Sequence, residues 1–344
     1  MKVGELGEFG LIELIRGIVA GHGHPEQPPW REVLVGIGDD AAAWQGNDRT
    51  QLATTDTLVE GVHFDPDVIS WQELGWKALA INLSDIAAMG GVPAYALLSL
   101  ALPGALEVEA VSRFSSAMAQ AAGEYGVAIV GGNMAASPRV VITITLMGYL
   151  KGQEMLRRST ALPGQHIAVT GYPGLSAAGL EMLKGRTVSN RETADLIRRA
   201  HLLPTPRVRE GQALVAAGVR TAIDISDGLI ADLDHICEAS RVNAEVRAEV
   251  VPAHPLLAAA FDNYRELALC GGEDYELIFT ADEATIARAG QALDCPVTVI
   301  GTITEGPSST RVKVLDRDGK PVSFRKGGWE HFRDGVSGVG NTQS

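Results

Sequence analysis

Carboxylates interrupt otherwise apolar sequence at three places in the first half of this chain. They are Asp39 and Asp40 in VGIGDDAAAW, Asp56 in LATTDTLVEGVHF beside Thr54 and Thr55, and Asp85 in ALAINLSDIAAMGG. An acidic side chain near a strand end, with no Lys or Arg next to it, is costly to desolvate unless a positive partner joins it. A divalent cation would supply that charge. Asp carboxylates and Thr hydroxyls are hard oxygen donors that suit Mg²⁺, which takes a few protein oxygens and shares phosphate oxygens with a substrate. Each Asp taken singly reads as well as a turn residue or a helix cap, but three in one chain favour the cation. Asn82 and Asp85 stand three apart on an expected helix and so share a face. The neighbours Ile81, Leu83, Ile86 and Ala87 favour a buried role for Asp85 over a solvated polar stripe.

Gly131 and Gly132 precede Asn133 and follow the apolar stretch Val127–Val130. Paired glycines there would let backbone N–H groups approach a phosphate without Cβ obstruction, and would serve equally well as a hairpin turn. No GxxxxGK[ST] loop occurs, and no GxGxxG follows a strand, so any nucleotide must be held by another device. In the second half, AIDISDGLIADLDHI sets Asp224, Ser226 and Asp227 at an expected strand-to-helix junction. N-capping accounts for Ser226 or Asp227 but leaves Asp224 unexplained. CGGEDYELIFT places Glu273 and Asp274 between a second Gly-Gly pair and an apolar run, and His63 stands alone, as a structural histidine does.

The elements that must position these residues follow from periodicity and punctuation. Expected strands in the first half are Val33–Ile37, Gln51–Thr55, Ala94–Ala101, Val127–Val130 and Val140–Leu150. A helix is expected over Glu73–Met89, and a second over Val108–Ala122 with Gly126 as its stop. The polar KGQE after Leu150 marks a domain boundary. Beyond it, strands are expected at His166–Thr170, Thr221–Ile225, Asn243–Val250, Tyr275–Thr280, Val297–Ile303 and Arg311–Leu315. Helices are expected at Ser176–Leu183, Arg191–Ala200, Val208–Ala217, Gly228–Ala239, after Pro255, and over Glu283–Leu293. The fold class is α/β and α+β in two domains, as the length of 344 residues also suggests.

A net charge of −13 leaves little positive field for nucleic acid or anionic lipid, so neither is an expected partner. Cys237, Cys270 and Cys295 form no CxxC pair, which fits a reducing compartment. Glu13 and Arg16 break the early apolar stretch, and Pro103 breaks the run Ala96–Leu106, so a cytoplasmic location is expected.

Taken in chain order, eight segments resemble the thiamine-monophosphate kinase family. They are GEFGLI (Gly7–Ile12), GIGDDAA (Gly36–Ala42), TTDTLVEGVHF (Thr54–Phe64), KALAINLSDIAAMGGVP (Lys77–Pro93), RSTALPG (Arg158–Gly164), DISDGL (Asp224–Leu229), GGEDYEL (Gly271–Leu277) and GGWEHF (Gly327–Phe332). The resemblance spans nearly the whole chain and implies transfer of the γ-phosphoryl group of ATP onto the phosphate of thiamine monophosphate, giving thiamine diphosphate and ADP. It implies an N-terminal Mg²⁺- and ATP-binding domain, residues 1–150, whose strands complete a barrel across a homodimer. An α/β C-terminal domain, residues 151–334, and a loose tail, residues 335–344, follow, with ATP between the domains. By the same resemblance Asp40, Thr54, Thr55, Asp56, Asp85, Asn133, Asp224 and Asp227 hold several Mg²⁺ ions. Gly132, Asn133, Arg158 and Ser226 contact ATP, and His63, Glu273 and Trp329 hold the thiamine substrate. No general base is called for. The family often carries Asp where this chain has Asn133. Selenophosphate synthetase, on a related fold, would need a reactive residue near the N-terminus, and the first cysteine is Cys237. A metal-dependent phosphohydrolase or a regulator that binds Mg-ATP without turnover would lack thiamine diphosphate as product.

Overall fold

The computed structural model describes residues 1–37, 43–46, 48–306 and 310–322. These divide into two compact units. Met1–Leu83 and Pro93–Lys151 belong to the first; Ser84–Val92 and the described residues from Gly152 onward belong to the second.

The chain up to Lys151 runs α1 (Val3–His22), β1 (Val33–Val35), β2 (Ala43–Trp44), β3 (Gln51–Val59), α2 (Trp71–Ala88, whose residues from Ser84 onward belong to the second unit), β4 (Val92–Leu102, of which Val92 belongs to the second unit), α3 (Val108–Tyr125), β5 (Ala128–Ala136) and β6 (Val141–Tyr149). Its main sheet has the order β3-β6-β4-β5. The alternation in VITITLMGY puts Ile142, Ile144 and Leu146 on the buried face, and β6 pairs antiparallel with β3 from Gln51↔Tyr149 to Val59↔Val141. β4 and β5 are parallel, joined through α3. α3 buries Val111, Phe114, Met118 and Ala122 on one face, and Gly126 closes it in the left-handed region at φ 69°.

Three expectations need correction here. β3 continues past Thr55 to Val59, so Asp56 lies inside a strand opposite Ile144 and not at a strand end. Gly131–Asn133 is neither a strand end nor a turn; it continues β5, opposite Leu97, Leu98 and Ser99, just past a register shift between Ala96 and Leu97. A Cβ at Gly132 would lie 1.7 Å from the Leu98 carbonyl oxygen, so bare backbone is what lets the two strands stay together. The long α1, kinked at Gly7, has no counterpart in the expected elements, because Gly residues interrupt its apolar period.

The second unit runs β7 (His166–Thr170), α4 (Leu175–Leu183), α5 (Arg191–Leu202), α6 (Val208–Ala217), β8 (Thr221–Asp224), α7 (Leu229–Ser240), β9 (Val242–Arg247), α8 (Pro255–Ala260), α9 (Tyr264–Cys270), β10 (Leu277–Ala281), α10 (Glu283–Ala292), β11 (Val297–Glu305) and β12 (Val312–Leu315). The sheet order is β12-β9-β11-β7-β10-β8, with β12 parallel to β9 and the remaining pairs antiparallel. Alternate residues face opposite layers. Ile167, Val169, Ile223 and Ile278 pack with Leu233 and Ile236 of α7 and Leu269 of α9. Ala168, Ala222, Leu277 and Phe279 pack with Leu214 of α6 and Ile286 of α10. Helices on both faces explain why these strands read as unbroken apolar runs. The seven-residue α9 was too short to show a period. No helix among the described residues is long and apolar enough to cross a membrane.

In the first unit α2 and α3 meet where Gly75 faces the Phe114 carbonyl oxygen; a Cβ there would lie 2.2 Å from it. Gly75→Ala should therefore cost about 3 kcal/mol. Gly17→Ala, in α1 with nothing within 4 Å, should be neutral or slightly stabilising. Thermal denaturation of both variants checks this, and equal melting temperatures would contradict it.

Candidate functional site

β8 ends at Asp224, whose side chain is 3% exposed. The Ser84 hydroxyl donates to Asp224 Oδ2 at 2.6 Å. Burial pushes the Asp224 carboxyl up to about 6, and the negative charge of Asp85 pushes the same way; the Ser84 hydrogen bond and the Arg158 guanidinium oppose it. Asp85, Arg158 and Asp224, singled out in separate segments of the chain, thus act on one another. Ser84 escaped notice because its partner lies 140 residues away.

The loop after β8 is organised from inside the next helix. Asp232 Oδ2 accepts the backbone N–H groups of Ser226, Asp227 and Gly228, each at 3.0 Å. Neither Ser226 nor Asp227 caps α7; the cap position is Gly228, at φ 126°, where a Cβ would lie 2.8 Å from the Cys270 carbonyl oxygen. The capping explanation of Ser226 and Asp227 therefore falls away, and both side chains are carried by a loop whose amides point elsewhere. Asp232 is raised to about 8, by burial first and then by Asp224 and Asp227. Its signal in the sequence was a further acid in IADLD, one turn into the helix.

The two motifs of the second unit form one structure. Glu273 N–H donates to the Ser226 carbonyl at 2.8 Å, Tyr275 N–H to Ile225 at 2.9 Å, and Ile225 N–H to Glu276 at 2.8 Å. A Cβ on Gly272 would lie 2.5 Å from the Ser226 carbonyl oxygen, which is the local need for glycine in this loop. Asp274 accepts the N–H groups of Gly174 at 2.7 Å and Ser176 at 3.1 Å, closing the start of α4. The Glu276 carboxylate takes Arg207 Nε at 2.7 Å and Nη2 at 2.5 Å, with Thr170 Oγ1 at 2.6 Å. Ser226, Asp227 and Glu273 therefore stand beside the end of β8.

In the first unit Thr54 and Asp56 share one face of β3 and Thr55 lies on the other, as strand alternation requires. Thr55 Oγ1 donates to the Ile144 carbonyl at 3.1 Å. Gly132 and Asn133 lie on β5, with β6 and β4 between them and β3, so this sheet does not bring the two groups together. His63 Nδ1 accepts the Val59 N–H at 3.1 Å and tightens the turn after β3. Buried Asn82 donates from Nδ2 to Ala78 O at 3.1 Å, while its Oδ1 has no hydrogen-bond partner. Asp39, Asp40 and Trp329 lie outside the described residues.

Burial raises the Asp274 carboxyl to about 8 despite its two backbone donors. An unfolded Asp ionises near pH ~4, so between these values the folded chain holds a proton that the unfolded chain has lost, and stability falls as pH rises through about 8. Asp274→Asn removes that ionisation. Its melting temperature should fall less steeply than the parent's between pH 6 and 8; parallel slopes in a pH series of melting curves would contradict this.

Residues 38–150 match the family model of the AIR synthase related protein N-terminal domain, and residues 163–313 that of its C-terminal domain. The thiamine-monophosphate kinase of Salmonella typhimurium is 42% identical over 315 residues, 88% of this chain and 93% of that protein. The Bacillus subtilis thiamine-monophosphate kinase is 37% identical over 336 residues, 95% and 99% of the two chains. Among solved structures, thiamine-monophosphate kinase from Stenotrophomonas maltophilia K279a matches with a TM-score of 0.78 at 36% identity, covering 92% of this chain and 98% of that one. AaThiL complexed with AMPPCP and TMP matches at 0.73 and 35%, covering 96% and 99%. With both domain models matched in order and relatives this similar over most of the chain, the protein belongs to the thiamine-monophosphate kinase family.

Proposed function

We propose that this chain moves the γ-phosphoryl group of ATP onto the phosphate of thiamine monophosphate, releasing thiamine diphosphate and ADP. The observation that carries this reading is the set of Ser84, Asp85, Arg158 and Asp224 around the end of β8. There the Asp85 carboxylate and the Arg158 guanidinium both act on the buried Asp224 carboxylate, an arrangement of oxygen donors and a phosphate-pairing cation suited to a metal ion that arrives with phosphate.

The donor set fits Mg²⁺. The Asp224 carboxyl, raised by burial and by the charge of Asp85, is a hard oxygen donor whose ionised form a cation would stabilise. Asp85, Asp224 and Asp227 would hold ions from the second unit, and Asp40, Thr54, Thr55, Asp56 and Asn133 from the first. Asn133 keeps a carbonyl oxygen for the task but brings no charge. Bound there, Mg²⁺ would neutralise phosphate charge and align donor and acceptor, the main needs of phosphoryl transfer. Arg158 pairs phosphate oxygens through its planar fork, with Ser226, Gly132 and Asn133 as further ATP contacts. The acceptor phosphate is already an oxyanion near neutral pH, so no side chain has to remove a proton. Glu273, with His63 and Trp329, receives the thiamine moiety, whose thiazolium is cationic; the carboxylate offsets that charge and the indole offers a stacking face.

The working form is a homodimer whose second copy closes the first unit's sheet toward a barrel. β3 exposes Gln51, Ala53, Thr55 and Thr57, and β5 exposes Asn133, Ala135 and Ala136. β3 and β5 are also the edge strands, whose open backbone a second copy would cover. Light scattering at micromolar concentration should give twice the chain mass, and a monomer would reject the assembly.

Chromatography of a reaction with ATP, Mg²⁺ and thiamine monophosphate tests the function, with free thiamine as control acceptor. Thiamine diphosphate should form from the monophosphate alone; its absence at saturating ATP would overturn the reading. Asp56→Asn and Asp85→Asn should each lower turnover at least about a hundredfold while the protein stays folded, and near-parental rates at limiting Mg²⁺ would contradict the metal assignment.

A further inference from the structure

Glu273 sits in left-handed backbone at φ 62°, and Tyr275 does so at 54°. Such conformations are uncommon for residues with a Cβ and persist where the surroundings over-determine them, often at functional sites. Three segments of the second unit do so here. Asp274 grips the start of α4, and the Glu273 amide is tied to Ser226. From the last turn of α5 comes His201, buried at 7% exposure, whose Nδ1 lies 3.0 Å from Ser176 Oγ and 3.5 Å from Glu273 Oε2. α4 and α5 approach closely at this point: a Cβ on Gly179 would lie 2.2 Å from the Ile197 carbonyl oxygen and 2.9 Å from His201 Cβ.

A Ser, a His and a Glu in contact invite comparison with a nucleophilic triad. That chemistry needs hydroxyl and carboxylate on different ring nitrogens, so that one takes the proton while the other orients the ring. Here both face Nδ1, so the cluster holds the carboxylate in place and does not activate the hydroxyl. We infer that His201, backed by Ser176, is a positioning residue that aims the Glu273 carboxylate at the cationic portion of the phosphoryl acceptor. This rests on the reading of Glu273 as an acceptor contact given above.

Initial rates with thiamine monophosphate and ATP varied separately test it, on the parent, His201→Ala, His201→Asn, Ser176→Ala, Glu273→Gln and the double variant His201→Ala/Glu273→Gln. His201→Ala should raise KM for thiamine monophosphate roughly tenfold while kcat and KM for ATP stay within about twofold. His201→Asn, whose amide nitrogen falls near the place of Nδ1, should recover most of the loss, and Ser176→Ala should raise the same KM a few-fold. The double variant should be no worse than Glu273→Gln alone, because both substitutions remove one contact. An unchanged acceptor KM, a loss shared equally by ATP, no recovery in His201→Asn or additive effects in the double variant would each overturn the inference. If His201→Ala does not fold, Ser176→Ala decides, and an unchanged acceptor KM there overturns it. A parent without turnover removes the reading of Glu273 and this inference with it; an active parent with indifferent variants removes the inference alone.

Discussion

A carboxylate held in a buried position beside a second carboxylate is the constraint on which the rest of the second unit depends. Asp224 closes the buried apolar edge strand β8, and leaving water is the largest cost it bears; the charge of Asp85 adds to that cost. Where both groups are ionised, their repulsion opposes folding. One hydroxyl and one exposed guanidinium offset part of this. The proposed phosphoryl transfer, with a cation arriving alongside phosphate, would give this pair of carboxylates a use.

The elements around Asp224 make sense as a frame for that unfavourable pair. Helices cover both faces of the sheet and so lock β8 between opposed apolar layers. Asp232 gathers three amides and turns the following loop so that Ser226 and Asp227 keep their side chains free of capping duty. The glycine-rich loop from Gly271 is stitched to that same loop, and the Arg207–Glu276 pair anchors its far end. In the first unit Thr54, Asp56 and Asn133 are carried by strands, where the pleat decides which side chains share a face.

Much of this was legible from residue types alone. The alternation in Val141–Tyr149, the stop at Gly126 and the strand-to-helix junction at Asp224 depend on local chemistry, and the structure keeps all three. What escaped depends on partners distant in the chain. Gly131–Asn133 looked like punctuation because glycine is a poor strand former, yet the Leu98 carbonyl tolerates nothing larger at Gly132. Ser84 and His201 look unremarkable until β8 and α4 are beside them. Asp232 was visible as an acid, but its role as acceptor of three amides belongs to the folded loop.

The most direct test of the central claim compares the parent with Asp224→Asn by differential scanning calorimetry at pH 8, with and without Mg²⁺. The substitution keeps the size of the side chain and its acceptor for Ser84 while removing the charge that opposes Asp85. Without Mg²⁺, Asp224→Asn should melt above the parent, and Mg²⁺ should raise the parent's melting temperature more than the variant's. A variant that melts below the parent without Mg²⁺, or that gains as much from the ion, would contradict the view that this carboxylate pair is kept for a cation.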